Sequence, residues 1–313
     1  MTAVDDPGTA GTVGRAGTVE LPGESLHVVV NGDGPTVVFA NGLGESWFDW
    51  DAVVPLLPGH RLVRFDRPGL GGTPLPARKP DLAAELARIG AVADAYSPDA
   101  PVVLVAHSAA ALHAEAYTRL HPARVAALLL VDPSSEPDAA PPVTPARRLT
   151  DLLLTGLPRA TSALAATRIT PLLGPRLFRL AYRGQNRRRL RGPDAPGWPP
   201  RTDPMPHPVD TVYGSPAATV TILAELAAYR SQAADLNALR RTAPYPGVPT
   251  TVLAALDGLT PTGTTDHLAG TTHLAHLLSA THTPLPDARH LAMLDEPAAV
   301  ADAITALHTA SGN

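Results

Sequence analysis

Apolar residues recur along this chain in two periods, and the switches between them outline its layout. Thr36–Ala40, Leu62–Phe65, Val102–Val105 and Ala127–Val131 are short runs dense in Val, Leu and Phe. Such runs do not alternate with polar residues, so they predict strands buried on both faces. Near Leu82–Ala95 and Ala109–Leu120 the apolar positions take helical spacing instead. Strands alternating with helices predict an α/β fold, a mostly parallel central sheet with helices on both faces. Upstream, Thr18–Leu21 and Leu26–Val30 flank Pro22-Gly23-Glu24 and predict a β-hairpin. Residues 1–16, rich in Gly, Thr and Ala, predict a flexible tail.

The rhythm breaks after Asp132-Pro133. Residues 134–243 hold helix-like segments at Ala146–Leu154, Ser162–Ile169, Pro175–Tyr182 and Ala217–Leu239, plus a Pro/Arg-rich stretch at 187–210. The sheet rhythm resumes with Thr250–Ala255, a helix around Thr272–Leu278, a strand near His282–Leu285 and a helix from Pro297 to Leu307. One helical insertion within one core explains this order. The expected division is a tail (1–16), a core (17–133 and 244–313) and a helical cap (134–243). A chain of 313 residues is long for one domain and suits such an insertion.

Composition narrows the function classes. The formal net charge of −4 advertises no basic face for nucleic acid. Without cysteine there is no disulfide framework, thiolate metal site or cysteine nucleophile. The first residues lack the basic and apolar regions of a signal peptide. No apolar run approaches the ~18 residues of a membrane span. The expectation is a cytoplasmic protein.

Between the strand Val102–Val105 and the helical pattern from Ala111 lies Ser108, among only small neighbours (Ala106, Ala109, Ala110). A serine on so sharp a strand-to-helix turn is held in a strained conformation that lifts its hydroxyl above the sheet. Directly after Thr36–Ala40 comes Asn41-Gly42-Leu43-Gly44, a loop able to aim a backbone N–H at a developing oxyanion. The amides of Leu43 and Ala109 are the candidate donors. Asp66-Arg67-Pro68-Gly69 closes the next strand and reads as a structural loop. His290, between the last strand and last helix, can reach the serine across the sheet's C-terminal edge. Imidazole can accept and return that proton at neutral pH. Two carboxylates could orient it: Asp257, after Thr250–Ala255, is taken first, and Asp132, at the end of Ala127–Val131, second.

With these motifs in order, the chain resembles an α/β-hydrolase fold enzyme with a helical cap, over residues 18 to 308. Asn41-Gly42 is similar to the family's His-Gly oxyanion loop, Ala106-His107-Ser108-Ala109-Ala110 to its nucleophile elbow, and Ala288-Arg289-His290 to its histidine loop. Alanine stands where the elbow glycines are usual, and asparagine where a histidine usually precedes Gly42. The spacing from Pro249 to Asp257 is shorter than the common pattern. In some relatives the acid sits at the earlier strand end, where this chain has Asp132.

The resemblance implies hydrolysis of an ester or thioester of a small to medium apolar acyl compound, without metal or organic cofactor. Asn41, Gly42, Trp47 and His107 would lie beside the substrate. Acyl transfer or cyclisation, lactone hydrolysis, and a binding protein without turnover are the alternatives. Relatives that open epoxides use aspartate where this chain has Ser108. Arg187-Arg188-Arg189-Leu190-Arg191 could meet a carrier-bound thioester, but reads first as a solvated basic loop. His267, His273 and His276 read as a solvent-facing helix rather than a metal cluster. Leu152, Leu153, Leu157, Ile222, Leu223 and Leu226 could roof an apolar pocket.

Overall fold

A computed structural model describes residues 4–5, 14–75, 79–135, 174–176 and 208–312. The strands are β1 (Val4–Asp5), β2 (Arg15–Leu21), β3 (Glu24–Asn31), β4 (Thr36–Ala40), β5 (Arg61–Phe65), β6 (Val102–His107), β7 (Val125–Val131), β8 (Thr250–Ala255) and β9 (Thr281–Leu285). They form one sheet in the order β1-β2-β3-β5-β4-β6-β7-β8-β9. The pairs from β1 through β3 to β5 are antiparallel, and those from β5 through β4 to β9 are parallel. The expected hairpin is present, with Gly23 at φ +80° where the chain reverses between Leu21 and Glu24. Val4–Asp5, within the expected tail, pair with Thr18 and Gly17 at the sheet edge.

The helices are α1 (Leu82–Tyr96), α2 (Ala110–Leu120), α3 (Pro208–Tyr213), α4 (Pro216–Thr242), α5 (Pro261–Leu277), α6 (Ala292–Asp295) and α7 (Pro297–Ala310). Period-2 alternation splits each central strand between two cores. Val38, Leu104, Leu128 and Leu130 face a cluster with Ile89 of α1, Tyr117 of α2 and Leu274 of α5. Val37, Phe39, Val105 and Leu129 face the other, with Val300 and Ile304 of α7. Helices therefore cover both faces, as the unbroken apolar runs require.

Helix α5 is longer than the expected segment at Thr272–Leu278. It starts at Pro261, where Thr260 caps it by accepting the Gly263 N–H at 3.1 Å. Its Thr- and Gly-rich first turns mute the apolar period. In the expected cap, α3 and α4 are described; the segments at 146–154 and 162–169, and Arg187 to Arg191, lie outside the described residues. Among the described residues no helix is long and apolar enough to cross a membrane.

Leu104 is fully buried on the strand leading to Ser108. Leu104→Ala should lower the unfolding free energy by about 2–5 kcal/mol, through lost burial and the cavity left behind. Thermal and urea unfolding monitored by circular dichroism would measure the loss.

Candidate active site

Ser108 follows the last residue of β6 and adopts φ +52°, the left-handed region that side chains rarely enter. Such a residue costs of order 1–3 kcal/mol and persists only where its surroundings hold it. Here the Ser108 N–H donates to Val131 O at 3.1 Å, and Ser108 O accepts from Ala111 and Ser134, each at 3.1 Å. Ala106 and Ala110 are fully buried against the turn, where larger side chains would have no room. The strained serine turn is as expected.

The serine hydroxyl meets His290, whose Nε2 lies 2.9 Å from Ser108 Oγ. The other ring nitrogen, Nδ1, lies 2.6 Å from Asp132 Oδ2. A carboxylate only accepts, so Nδ1 carries the proton and Nε2 is left to accept from the hydroxyl. Asp132 replaces Asp257 as the acid beside the imidazole. Asp257 Oδ2 instead accepts from Arg289 Nε at 3.1 Å, one residue before the histidine. The cause is strand position: β7 neighbours β6 directly, whereas β8 lies one strand further away.

Asp132 also has a positive φ, +43°. Its N–H donates to Leu253 O at 2.8 Å, and its Oδ1 accepts the Ala255 N–H at 2.8 Å. A second imidazole, His267 Nε2, reaches the same Oδ1 at 2.7 Å. Burial alone would raise the pKa of the Asp132 carboxyl, but hydrogen bonds from His267 and His290 outweigh it and hold it well below the usual range. The solvent-facing reading of His267 therefore gives way. His267, Thr271 and Leu274 share one helix face at i, i+4 and i+7, and Thr271 and Leu274 are buried. That spacing was the sequence signal, hidden because the start of α5 was not visible.

The loop after β4 is held from two sides. Gly44 turns it at φ +70°. Arg67 donates to Asn41 O at 2.6 Å and Gly42 O at 2.5 Å, and its Nε and Nη2 pair with Glu225 of α4 at 2.7 and 2.9 Å. Glu225 also accepts the Gly44 N–H at 2.9 Å, and Tyr213 Oη donates to Gly44 O at 2.8 Å. Burial opposes the Arg67 charge, but Glu225 outweighs it and holds the guanidinium above its ordinary pKa. On the inner side Glu45 accepts the Gly42 N–H at 2.6 Å and pairs with His107 Nδ1 at 2.6 Å. A Cβ on Gly42 would meet both Glu45 and His107 at 2.8 Å, so only glycine fits.

His107 is buried, with its ring 4.7 Å from that of His290, and donates through Nε2 to His290 O at 2.7 Å. Its Nδ1 lies beside the Glu45 carboxylate. Burial lowers its pKa, yet Glu45 more than compensates and raises it. Asn41 also proves structural, donating to Phe65 O at 2.7 Å and accepting from Trp50 Nε1 at 2.8 Å. Trp47 packs edge-on against Phe48, with Arg64 over its ring at 5.1 Å. Asp66 gathers the Ser46 hydroxyl, the Trp47 N–H and His27 at 2.5, 2.9 and 2.7 Å, the structural task expected of its loop. Glu225 was not singled out in the sequence because Arg67 and Gly44 lie far along the chain, nor Glu45, whose bond to Gly42 is local but whose pairing with His107 is not.

Leu43 and Ala109 line one small cavity with Arg67, Glu225, His113 and Gln232. Among the described residues neither the Leu43 nor the Ala109 amide has an acceptor. The cavity wall is polar: His113 Nε2 lies 2.9 Å from Gln232 Oε1, and burial pushes the His113 pKa down. No cluster of metal-ligating side chains occurs among the described residues.

Known proteins place this architecture. Over 82 residues, 25% of this chain, it is 43% identical to the probable oxidoreductase EphD of Mycobacterium tuberculosis, a match spanning 14% of that protein's length. The Cif epoxide hydrolase from Acinetobacter nosocomialis superposes with a TM-score of 0.70 at 17% identity, covering 96% of this chain and 90% of the other. The thioesterase domain from the curacin biosynthetic pathway gives 0.61 at 20% identity, covering 93% and 98%. At these identities the superpositions speak for the fold. A family model for the alpha/beta hydrolase fold matches residues 35–297, spanning the loop after β4, the serine turn and the loop that carries His290, and the chain belongs to that family.

Proposed function

We propose that this chain is a serine hydrolase that cleaves an ester or thioester of a small to medium acyl compound. The observation that carries it is the relay of Ser108 Oγ to His290 Nε2 at 2.9 Å and His290 Nδ1 to Asp132 Oδ2 at 2.6 Å. Ser108 Oγ attacks the carbonyl carbon while its proton passes to His290 Nε2. The Asp132 carboxylate holds the Nδ1–H and stabilises the imidazolium. The carbonyl oxygen becomes negative and takes the Leu43 and Ala109 N–H groups. Collapse expels the alkoxide or thiolate, which leaves with the proton from His290. Water, deprotonated by the same imidazole, then releases the acid from the acyl-enzyme.

Epoxide opening does not suit this nucleophile. A carboxylate that opens an epoxide forms an ester, which water cleaves. A serine alkoxide would form an ether and stall. Of the apolar cap residues named above, Ile222 packs over Gly44 and Leu226 is 44% exposed, and Leu152, Leu153 and Leu157 lie outside the described residues. Acyl transfer and lactone hydrolysis would use the same steps with a different acceptor or ring.

An alkyl fluorophosphonate tests the nucleophile, since attack by Ser108 Oγ forms a P–O bond and expels fluoride. Intact-mass spectrometry should find one adduct on the wild type and none on Ser108→Ala. Folded wild type without adduct would overturn the proposal and leave a binding protein as the better reading. Asp132→Asn should slow phosphonylation by about 10³- to 10⁴-fold, the scale of losing the group that sets the imidazole tautomer. Asp257→Asn should leave the rate nearly intact, and the reverse ranking would restore Asp257 as the acid.

The oxyanion donor at Leu43 depends on Glu225. Glu225→Ala leaves the Arg67 charge buried without its carboxylate, which should cost about 3–5 kcal/mol of stability. The phosphonylation rate should fall with it as the loop loses its aim. A stability loss without a rate loss would show that the loop holds its position unaided.

A further inference from the structure

Asp132 carries two imidazoles, and the proton path above uses only one. His267 Nε2 lies 2.7 Å from Asp132 Oδ1, the oxygen that also accepts the Ala255 N–H, while Oδ2 serves His290. We propose that His267 is a positioning residue of the catalytic triad, fixing the Asp132 carboxylate through its second oxygen and competing with His290 for its negative charge. This role presupposes the Ser108, His290 and Asp132 reading.

The geometry gives His267 two separable effects. An aspartate carboxylate turns about a broad, roughly two-fold torsion unless both oxygens are held. The His267 hydrogen bond joins that of Ala255 in preventing this rotation, so Oδ2 stays aimed at His290. The second effect is electrostatic. When His267 takes a proton, a positive charge stands on the carboxylate that would stabilise the His290 imidazolium. The negative charge that Asp132 offers His290 is then shared with His267.

The groups around His267 fit this competition. Asp132 faces it from the end of β7, and His290 stands across the same carboxylate. His282 of β9 is linked to the helix through Thr271, with Nε2 at 3.0 Å from Thr271 Oγ1, and that hydroxyl donates to His267 O at 2.9 Å. The Asp132 hydrogen bond outweighs burial and raises the His267 pKa, while burial and the nearby His267 and His276 charges lower that of His282. His267 is therefore the cation and His282 the neutral neighbour as pH falls. Asp266, adjacent on α5, is the remaining titratable group beside it in sequence.

The test is the pH dependence of phosphonylation by an alkyl fluorophosphonate, read for wild type, His267→Gln and His267→Leu, with Ser108→Ala as control. Glutamine keeps a neutral donor for Oδ1 but cannot become cationic. Its plateau rate should stay near that of the wild type, while the midpoint of its acid limb moves upward by about half a unit to one unit. Leucine removes donor and charge, so its limb should also move and its plateau should fall by about tenfold, as loosened alignment costs. Should leucine fail to fold, the limb of the glutamine variant decides. Unmoved limbs in folded variants, or glutamine losing as much rate as leucine without a shift, would reduce His267 to packing and overturn the proposal. If instead the wild type takes no label at Ser108, the triad reading itself fails and this role fails with it.

Discussion

Parallel register across β6, β7 and β8 is the constraint on which the site depends. His107 pairs with Val131, and Val131 with Leu253, so adjacent strands end nearly level. The ladder runs one rung further through Ser108 N–H to Val131 O and Asp132 N–H to Leu253 O. On that last rung Ser108 and Asp132 both adopt positive φ, at +52° and +43°, and leave the sheet together. A one-residue slip would turn Val105 and Leu129 to the wrong core, and the two apolar clusters oppose it. The separation of Ser108 and Asp132 is thus fixed by hydrophobic alternation far below them. His290, on the loop after β9, completes the set through the carbonyl that His107 holds.

A second constraint is electrostatic. The loop Asn41-Gly42-Leu43-Gly44 carries few side chains, so its shape comes from neighbours that bond its backbone. Arg67 and Glu225 grip one side, Glu45 and His107 the other. Each pair is buried, and an isolated charge there would be costly. Paired, and with nearby backbone groups taking further hydrogen bonds, the charges hold a glycine loop in one conformation. The Glu225 contribution comes from a helix within the expected cap, so the segment above the site also shapes the backbone of the site.

Much of this was legible because it is local. Unbroken apolar runs marked the parallel strands, and small residues around Ser108 marked the turn. His290 stood out by its place between the last strand and last helix. The acid was harder, since Asp132 and Asp257 each follow a strand and both are compatible with chain order. What separates them is lateral strand order and the presence of Arg289, which occupies Asp257. His267 was hidden by a Thr- and Gly-rich helix whose apolar face rests on few residues. Asn41 and His107 bond other loops and Trp47 packs with Phe48 and Ile222, contacts that no local pattern predicts. Proximity in sequence to a loop does not say which side of it a side chain takes.

On the proposed reading, a serine nucleophile gives the hydrogen bonding behind the site a task. A carboxylate nucleophile is ionised before substrate arrives and needs no base for its first step. A hydroxyl must lose a proton as it attacks, so the imidazole has to be in the right tautomer and at the right distance beforehand. That demand is passed to Asp132, which must remain ionised although it is largely buried. Two imidazoles and the Ala255 amide meet it, each donating to an oxygen that burial would otherwise protonate. With a carboxylate nucleophile the base is needed later, when water cleaves the ester that forms, and with a serine it is needed from the first step.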